Sequence, residues 1–339
     1  MNTYKLFLIT IVFCMASSIV AAKVHSHDYF LNTQNDLKIY LKEKTLTNNK
    51  NAKVVILVNS LSIPSVAAFD VPQFSLMDKL AENGFDVWGI DFVAQGKASF
   101  PPSMQKNPPP TGIFPLRATE ALPQLAHAID FITQKTGKTK VTLLGWSWGS
   151  IVAAMYAIKY PTQVDHLILY GAMYADSLPQ SAQAIFLQPY ATKNGQFNEH
   201  LPAYQNIPWK IIQSHWQMMT NGNATIASQA AFNAVGNTYR SIDKHPMEKG
   251  TLRRPMGPMK DLFLTWHHQV PYPIKQITTP TLVIYGEQDI FADKTLFSQL
   301  THVKHKKEVH VKEATHWLIY EKNRSEFYNE VTNFINNEH

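Results

Sequence analysis

Val141-Thr142-Leu143-Leu144-Gly145-Trp146-Ser147-Trp148-Gly149-Ser150-Ile151-Val152-Ala153-Ala154 decides the reading of this 339-residue chain. Val141 to Leu144 is an apolar run of strand length, and Ile151 to Tyr160 reads as a helix stopped by Pro161. Gly145-x-Ser147-x-Gly149 stands at the join, the strand-turn-helix context of a nucleophile elbow. A serine held on such a strained turn brings strand and helix together two positions before and after it, where a Cβ would clash. Glycine-bordered βα turns also serve nucleotide sites, but the G-x-G-x-x-G pattern is absent from this chain.

A serine hydroxyl is a poor nucleophile until a base takes its proton, and the base needs an orienting acid. Both types occur downstream at strand ends. Asp289 lies in Gly286-Glu287-Gln288-Asp289, directly after the apolar run Thr281 to Tyr285. His316 lies in Ala314-Thr315-His316-Trp317, between the last strand (Glu308 to Val311) and a helix near Ser325 to Ile335. Loops at one edge of a parallel sheet converge in space, which is how residues so far apart in sequence can meet. Asp293 and Asp176 are rivals for the acid, while His310 falls within a strand and His267 and His268 within an insertion.

The flanking sequence repeats one rhythm. Asn35-Asp36 is a turn signal before the alternation of Leu37, Ile39 and Leu41 with Lys38, Tyr40 and Lys42, so an antiparallel hairpin opens the fold. Val54 to Val58 and Phe85 to Ile90 are apolar strands, separated by a helix near Leu76 to Glu82 that Gly84 ends. A further helix spans about Glu120 to Lys135, with Leu122, Leu125, Ile129 and Ile132 on one stripe and Gly137 closing it. His166 to Tyr170 is the strand that follows the elbow helix. Apolar strands alternating with amphipathic helices imply a mainly parallel, doubly wound α/β sheet. Residues 172–275 break the rhythm: no buried strand is legible there, and large apolar side chains (Phe186, Trp209, Trp216, Met218, Met219, Phe263, Trp266) are scattered among Gln and Asn. This reads as a helical insertion. Phe100 to Phe114, with five prolines, reads as an extended surface loop.

With its elbow, G-E-x-D and A-T-H-W segments, the chain resembles the α/β-hydrolase superfamily, specifically its cap-bearing serine hydrolases of esterase and lipase type. The resemblance covers residues 28–337. It implies the α/β-hydrolase fold with an inserted helical cap, with residues 23–171 and 276–339 as the core and 172–275 as the cap. It also implies Ser147 as nucleophile, His316 as general base and acid, and Asp289 as orienting acid. Two backbone N–H groups would form the oxyanion hole, one from Trp148 and one from the loop after Val54 to Val58. That loop reads Asn59-Ser60-Leu61-Ser62 where the family has His-Gly, and Leu61 is the candidate donor. Trp146, beside the nucleophile, is a candidate substrate contact. Asp91, in a segment resembling the family's Asp-x-x-Gly-x-Gly stretch with one glycine missing, reads as structural.

Composition narrows the class. The chain is 45% hydrophobic, 12% aromatic and 17% charged, which excludes a disordered or polytopic membrane protein. The net charge of +6 invites nucleic acid or an anionic membrane as partner, but the densest basic run, Lys304 to Lys307, is interrupted by His305 and followed by Glu308. No nucleic-acid partner is expected. Met1 to Ala22 carries Lys5, an apolar run from Leu6 to Ala16 and small residues before a cleavage point at Ala22, the pattern of a secretory signal peptide at residues 1–22. Its apolar stretch is short for a permanent span. Cys14 is the one cysteine, so the mature chain has neither a disulfide framework nor zinc-thiolate chemistry. A periplasmic or secreted location is expected, with no stable membrane span after cleavage. No metal-ligand spacing is visible and a triad needs no cofactor, so the expectation is metal: none and cofactors: none.

The expected activity is hydrolysis of small lipophilic carboxylic esters through an acyl-enzyme on Ser147. A serine peptidase of the same fold is the nearest rival, with Glu199 and Glu248 in the insertion as candidates for a charged terminus. A cofactor-free peroxidase, an acyltransferase and an inactive hydrolase-like binding protein remain open. Dehalogenase and epoxide hydrolase relatives use an Asp nucleophile, against which Ser147 argues. The oligomeric state, acyl length and alcohol moiety are not legible in the sequence.

Overall fold

The strands Val54 to Val58, Val141 to Leu144 and Thr281 to Tyr285 are apolar throughout because both faces of their sheet are covered. In the computed structural model, which describes residues 23–337 apart from 34, 35, 48, 50, 59, 60, 176, 177 and 245, alternate side chains of these strands enter two different cores. Val54, Ile56 and Val58 face one core, and Val55 and Leu57 the other. The expected signal peptide at residues 1–22, Asn35, the Asn59-Ser60 pair and the rival acid Asp176 lie outside the described residues.

The strands are β1 (Val24–Asn32), β2 (Lys38–Leu46), β3 (Val54–Val58), β4 (Asp86–Asp91), β5 (Val141–Trp146), β6 (Val164–Tyr170), β7 (Tyr204–Pro208), β8 (Thr251–Pro255), β9 (Thr281–Gly286) and β10 (Lys306–Val311). Eight of them form one sheet in the order β1-β2-β4-β3-β5-β6-β9-β10. All neighbours from β4 to β10 are parallel, and the opening hairpin β1-β2 joins β4 antiparallel. The chain runs from β3 to β4 on one side and then to β5 on the other, so the loops after β3 and β5 flank a topological switch point, where α/β sheets bind ligands.

The helices are α1 (Ser65–Phe69), α2 (Leu76–Glu82), α3 (Ala118–Thr136), α4 (Trp148–Lys159), α5 (Gln180–Phe186), α6 (Trp209–Met219), α7 (Gln229–Ile242), α8 (Gly257–Trp266), α9 (Leu296–Gln299) and α10 (Arg324–Asn336). Helix α3 begins two residues before its expected start because acidic side chains satisfy its first N–H groups. Asp261 accepts from the Ala118 N–H (2.7 Å), and Glu120 from the Leu116 and Arg117 N–H groups (2.7 and 3.1 Å). Helix α4 begins immediately after Ser147, earlier than the apolar run from Ile151 suggests, since the Ser150 N–H closes back on the Ser147 carbonyl (2.9 Å).

The insertion differs from the expected all-helical cap. Strands β7 and β8 pair antiparallel in a separate ribbon, and every residue of β8 is buried. Its sequence, T-L-R-R-P, hides the strand because two arginines occupy buried positions. Arg253 manages this through a two-point ion pair with Asp243 (2.7 and 2.8 Å) and a bond from Nη1 to the Met104 carbonyl (2.9 Å). The proline-rich stretch is a largely exposed loop, as expected, but it is anchored. Met104 is buried, Gly112 and Ala203 bond across to Leu201 and Pro110, and the Tyr204 hydroxyl donates to the Lys106 carbonyl, so this stretch straps the insertion to the core.

Candidate active site

Ser147 sits between β5 and α4 with φ 58° and ψ −125°, a strained conformation for a residue with a Cβ. The Ser147 N–H donates to the Tyr170 carbonyl at the end of β6 (2.9 Å), which pins the turn to the sheet. A Cβ on Gly145 would stand 2.5 Å from the Gly149 carbonyl oxygen and 2.6 Å from the Ser150 Cα, so glycine is required where strand and helix cross.

Asp289 and His316, 27 residues apart, are brought together. His316 Nδ1 lies 2.8 Å from Asp289 Oδ2, and Asp289 is fully buried. The other carboxylate oxygen, Oδ1, accepts from the Phe291 and Ala292 N–H groups (2.9 and 3.2 Å). The rival Asp293 is turned elsewhere, accepting from the Ala175 N–H (2.8 Å) and from the N–H and hydroxyl of Thr295 (2.8 and 2.6 Å). Among the other histidines, His310 meets the Tyr285 hydroxyl, His267 the Phe263 carbonyl and His268 the Ala175 carbonyl, all away from Ser147.

Sequence reading missed Gly171, the residue after β6. Its φ is +51°, and a Cβ there would lie 2.9 Å from both Asp289 Oδ2 and His316 Nδ1, so only glycine lets the chain pass against the pair. Glu321 is a second omission. This buried carboxyl accepts from the Thr315 N–H (2.7 Å), the Thr315 hydroxyl (2.5 Å) and Nε1 of Trp216 in α6 (2.8 Å). It therefore ties the loop carrying His316 to the insertion, and burial raises its pKa above the ordinary carboxylate value. Asp91 accepts from the Val66 and Lys97 N–H groups (3.0 and 3.2 Å), and burial raises it to about 6.

Ser147 and His316 line one cavity of about 80 Å³, together with Leu61, Ser62 and Trp146 from the core. The Trp146 ring stacks on Tyr170 (5.3 Å between centroids) and lies 5.5 Å from the His316 ring. Trp148 is the first residue of α4, so its N–H belongs to the helix turn that lacks intrahelical acceptors. Its indole donates to Asp261 in α8 (3.0 Å), fixing the start of the elbow helix to the insertion. The insertion supplies the roof: Phe186 and Trp266, which the sequence singled out, line the cavity with Ile185, Ile212, Met259 and Leu262. Trp209, Trp216 and Phe263 pack into the cores, Met219 is buried, and Met218 is exposed. A larger groove, about 260 Å³, lies beyond Trp266 and Phe291, but neither Ser147 nor His316 lines it.

Three roof residues are polar and were not anticipated: Tyr190, His215 and Arg254. Arg254 Nη2 donates to the Tyr190 hydroxyl (2.8 Å) and to Gln205 Oε1 (2.6 Å). Burial, aided by the Arg254 charge, depresses the His215 pKa to about 4, leaving the ring neutral. Glu199 and Glu248 are exposed and bond to Lys260 and Asn206, outside the cavity. Among the described residues there is no group of three or more metal-ligating side chains, and no helix is long and apolar enough to cross a membrane.

Residues 65–323 match the family described as the alpha/beta hydrolase fold, and the chain belongs to that family. Curated relatives include a putative proline iminopeptidase of Mycoplasma genitalium, 30% identical over 111 residues (32% of this chain, 36% of that protein). Epoxide hydrolase 3 of Xenopus tropicalis is 23% identical over 194 residues (54% of this chain, 49% of that protein). The matched stretches thus span half or less of these relatives' length. Among solved structures, the 2-hydroxy-6-oxo-6-phenylhexa-2,4-dienoate hydrolase of Rhodococcus sp. strain RHA1 superposes with a TM-score of 0.64 at 14% identity, covering 93% of this chain and all of that one. An epoxide hydrolase from Vigna radiata gives 0.63 at 14%, covering 91% and 97%. At such identities the likeness is one of fold.

Proposed function

We propose that the protein is an exported serine hydrolase that cleaves small, largely apolar carboxylic esters through an acyl-enzyme on Ser147. The observation that carries this reading is a strained Ser147 lining the same cavity as a histidine whose Nδ1 is held by the buried Asp289. With Nδ1 so occupied, Nε2 is the nitrogen available to take the Ser147 proton as the hydroxyl attacks the ester carbonyl. The resulting imidazolium returns that proton to the leaving alcohol. Water, deprotonated by the same nitrogen, then releases the acid. The N–H groups of Trp148 and Leu61 are assigned to the oxyanion, and Trp146 to the substrate.

Some relatives are named as epoxide hydrolases and one as a peptidase. An epoxide hydrolase of this fold would need a carboxylate at the elbow, where this chain has Ser147. For a peptidase that grips a charged amino terminus, the acidic candidates Glu199 and Glu248 stand outside the cavity. Export rests on residues 1–22, and sequencing the product made in a bacterial host should give Lys23, or a residue within a few of it, as the amino terminus. The function is tested with p-nitrophenyl esters of graded acyl length, beside a triglyceride emulsion and a peptide amide panel. Highest kcat/KM is expected on soluble short to medium esters. Preference for the emulsion or the amides would overturn the assignment.

A further inference from the structure

In β8, two adjacent arginines are both about 95% buried, and only one has its charge matched. Arg253 is paired with Asp243 and uses Nε, Nη1 and Nη2. Arg254 makes no ion pair among the described residues. Its two bonds both leave from Nη2 to neutral acceptors, and its buried Nε has no acceptor. A guanidinium stays protonated under all ordinary conditions, so this is a full positive charge removed from water without a counter-ion. Structure alone does not require such an arrangement, as Arg253 one residue away demonstrates.

The surroundings point the same way. No described residue lining the cavity is an Asp or Glu. Two further lining residues, Trp146 and Trp317, also carry buried indole N–H groups without acceptors. The cavity lining therefore carries the Arg254 charge with no carboxylate to offset it, among mostly apolar side chains. A buried donor left unpaired is unfavourable, and an anionic acceptor supplied by a ligand would remove that penalty.

We propose that Arg254 receives a carboxylate carried by the substrate, so that the favoured esters have one anionic end. This rests on the hydrolase reading above for the word substrate, but the anion site itself can be measured without turnover. The probes are pentanoate and its neutral isostere pentanamide, titrated calorimetrically into the mature protein, the Arg254→Met variant and the Arg254→Lys variant. Wild type is expected to bind pentanoate at least about tenfold more tightly than pentanamide. Arg254→Met should level the two, and Arg254→Lys, which keeps the charge but not the planar fork, should retain part of the preference. Equal binding by wild type overturns the proposal, as does a preference that survives intact in Arg254→Met. If Arg254→Met fails to fold, the wild-type comparison and Arg254→Lys still decide. Labelling by a fluorophosphonate separates this from the hydrolase reading. A labelled Ser147 without acid preference removes the anion site alone, whereas acid preference without labelling keeps the anion site and removes the hydrolase.

Discussion

On the floor of the cavity, every polar atom of the acid that orients His316 has a partner: one oxygen of Asp289 holds the ring and the other takes two backbone N–H groups. On the roof, Arg254 keeps a buried N–H without an acceptor, and His215 is driven neutral beside it. A carboxylate satisfied at both oxygens holds the His316 ring in one orientation. An unsatisfied roof is complete only when something else supplies the missing acceptor. The two are joined through the insertion, by Trp216 on Glu321 and by Asp261 on the Trp148 indole and the start of α3.

The comparison can be broken at several points. Ser147→Ala should lower ester kcat/KM by about four orders of magnitude or more with the fold intact by circular dichroism. Asp289→Asn should cost on the order of 10³- to 10⁴-fold, because the amide can hold the ring in the wrong tautomer and no longer stabilises the imidazolium. Asp293→Asn serves as the contrast: it should leave kcat/KM within a few-fold and instead cost about 1–3 kcal/mol of stability in denaturant titration. Gly171→Ala should reduce kcat roughly 10- to 100-fold by pressing on the Asp289–His316 pair, with KM little changed. The smallest effect belongs to the roof. His215 has a folded pKa of about 4, below its unfolded value, so the folded state binds fewer protons than the unfolded chain between about pH 4 and 6.5. Its contribution to stability is present above that window and is lost as pH falls through it. His215→Asn should make the Tm decline between pH 7 and 5 shallower, by on the order of 1–2 °C.

The floor was legible because its signals are local. Gly145-x-Ser147-x-Gly149 names a turn whose sterics are set within the motif and the residue after it, Asp289 directly follows an apolar strand run, and His316 follows the last strand. Gly171 was not legible, since the atoms that exclude a Cβ there belong to residues more than a hundred positions away. Nor was the ribbon of the insertion. β8 is buried through an ion pair with Asp243 rather than through an apolar pattern, so T-L-R-R-P reads as a solvated segment. For the same reason Arg254 went unnoticed. Charge at a position without periodicity is ordinarily surface, and only its burial without a counter-ion in the fold distinguishes it. The proline-rich stretch concealed its contacts likewise, because they run through backbone atoms of Pro110 and Lys106.

The most direct measurement of the central claim is mass spectrometry of the folded protein after exposure to a fluorophosphonate probe. The account predicts a single covalent adduct, mapped to the peptide containing Ser147, absent in Ser147→Ala and formed far more slowly in Asp289→Asn. No adduct on folded wild type, or one mapped to another serine, would contradict the assignment of Ser147 as the nucleophile.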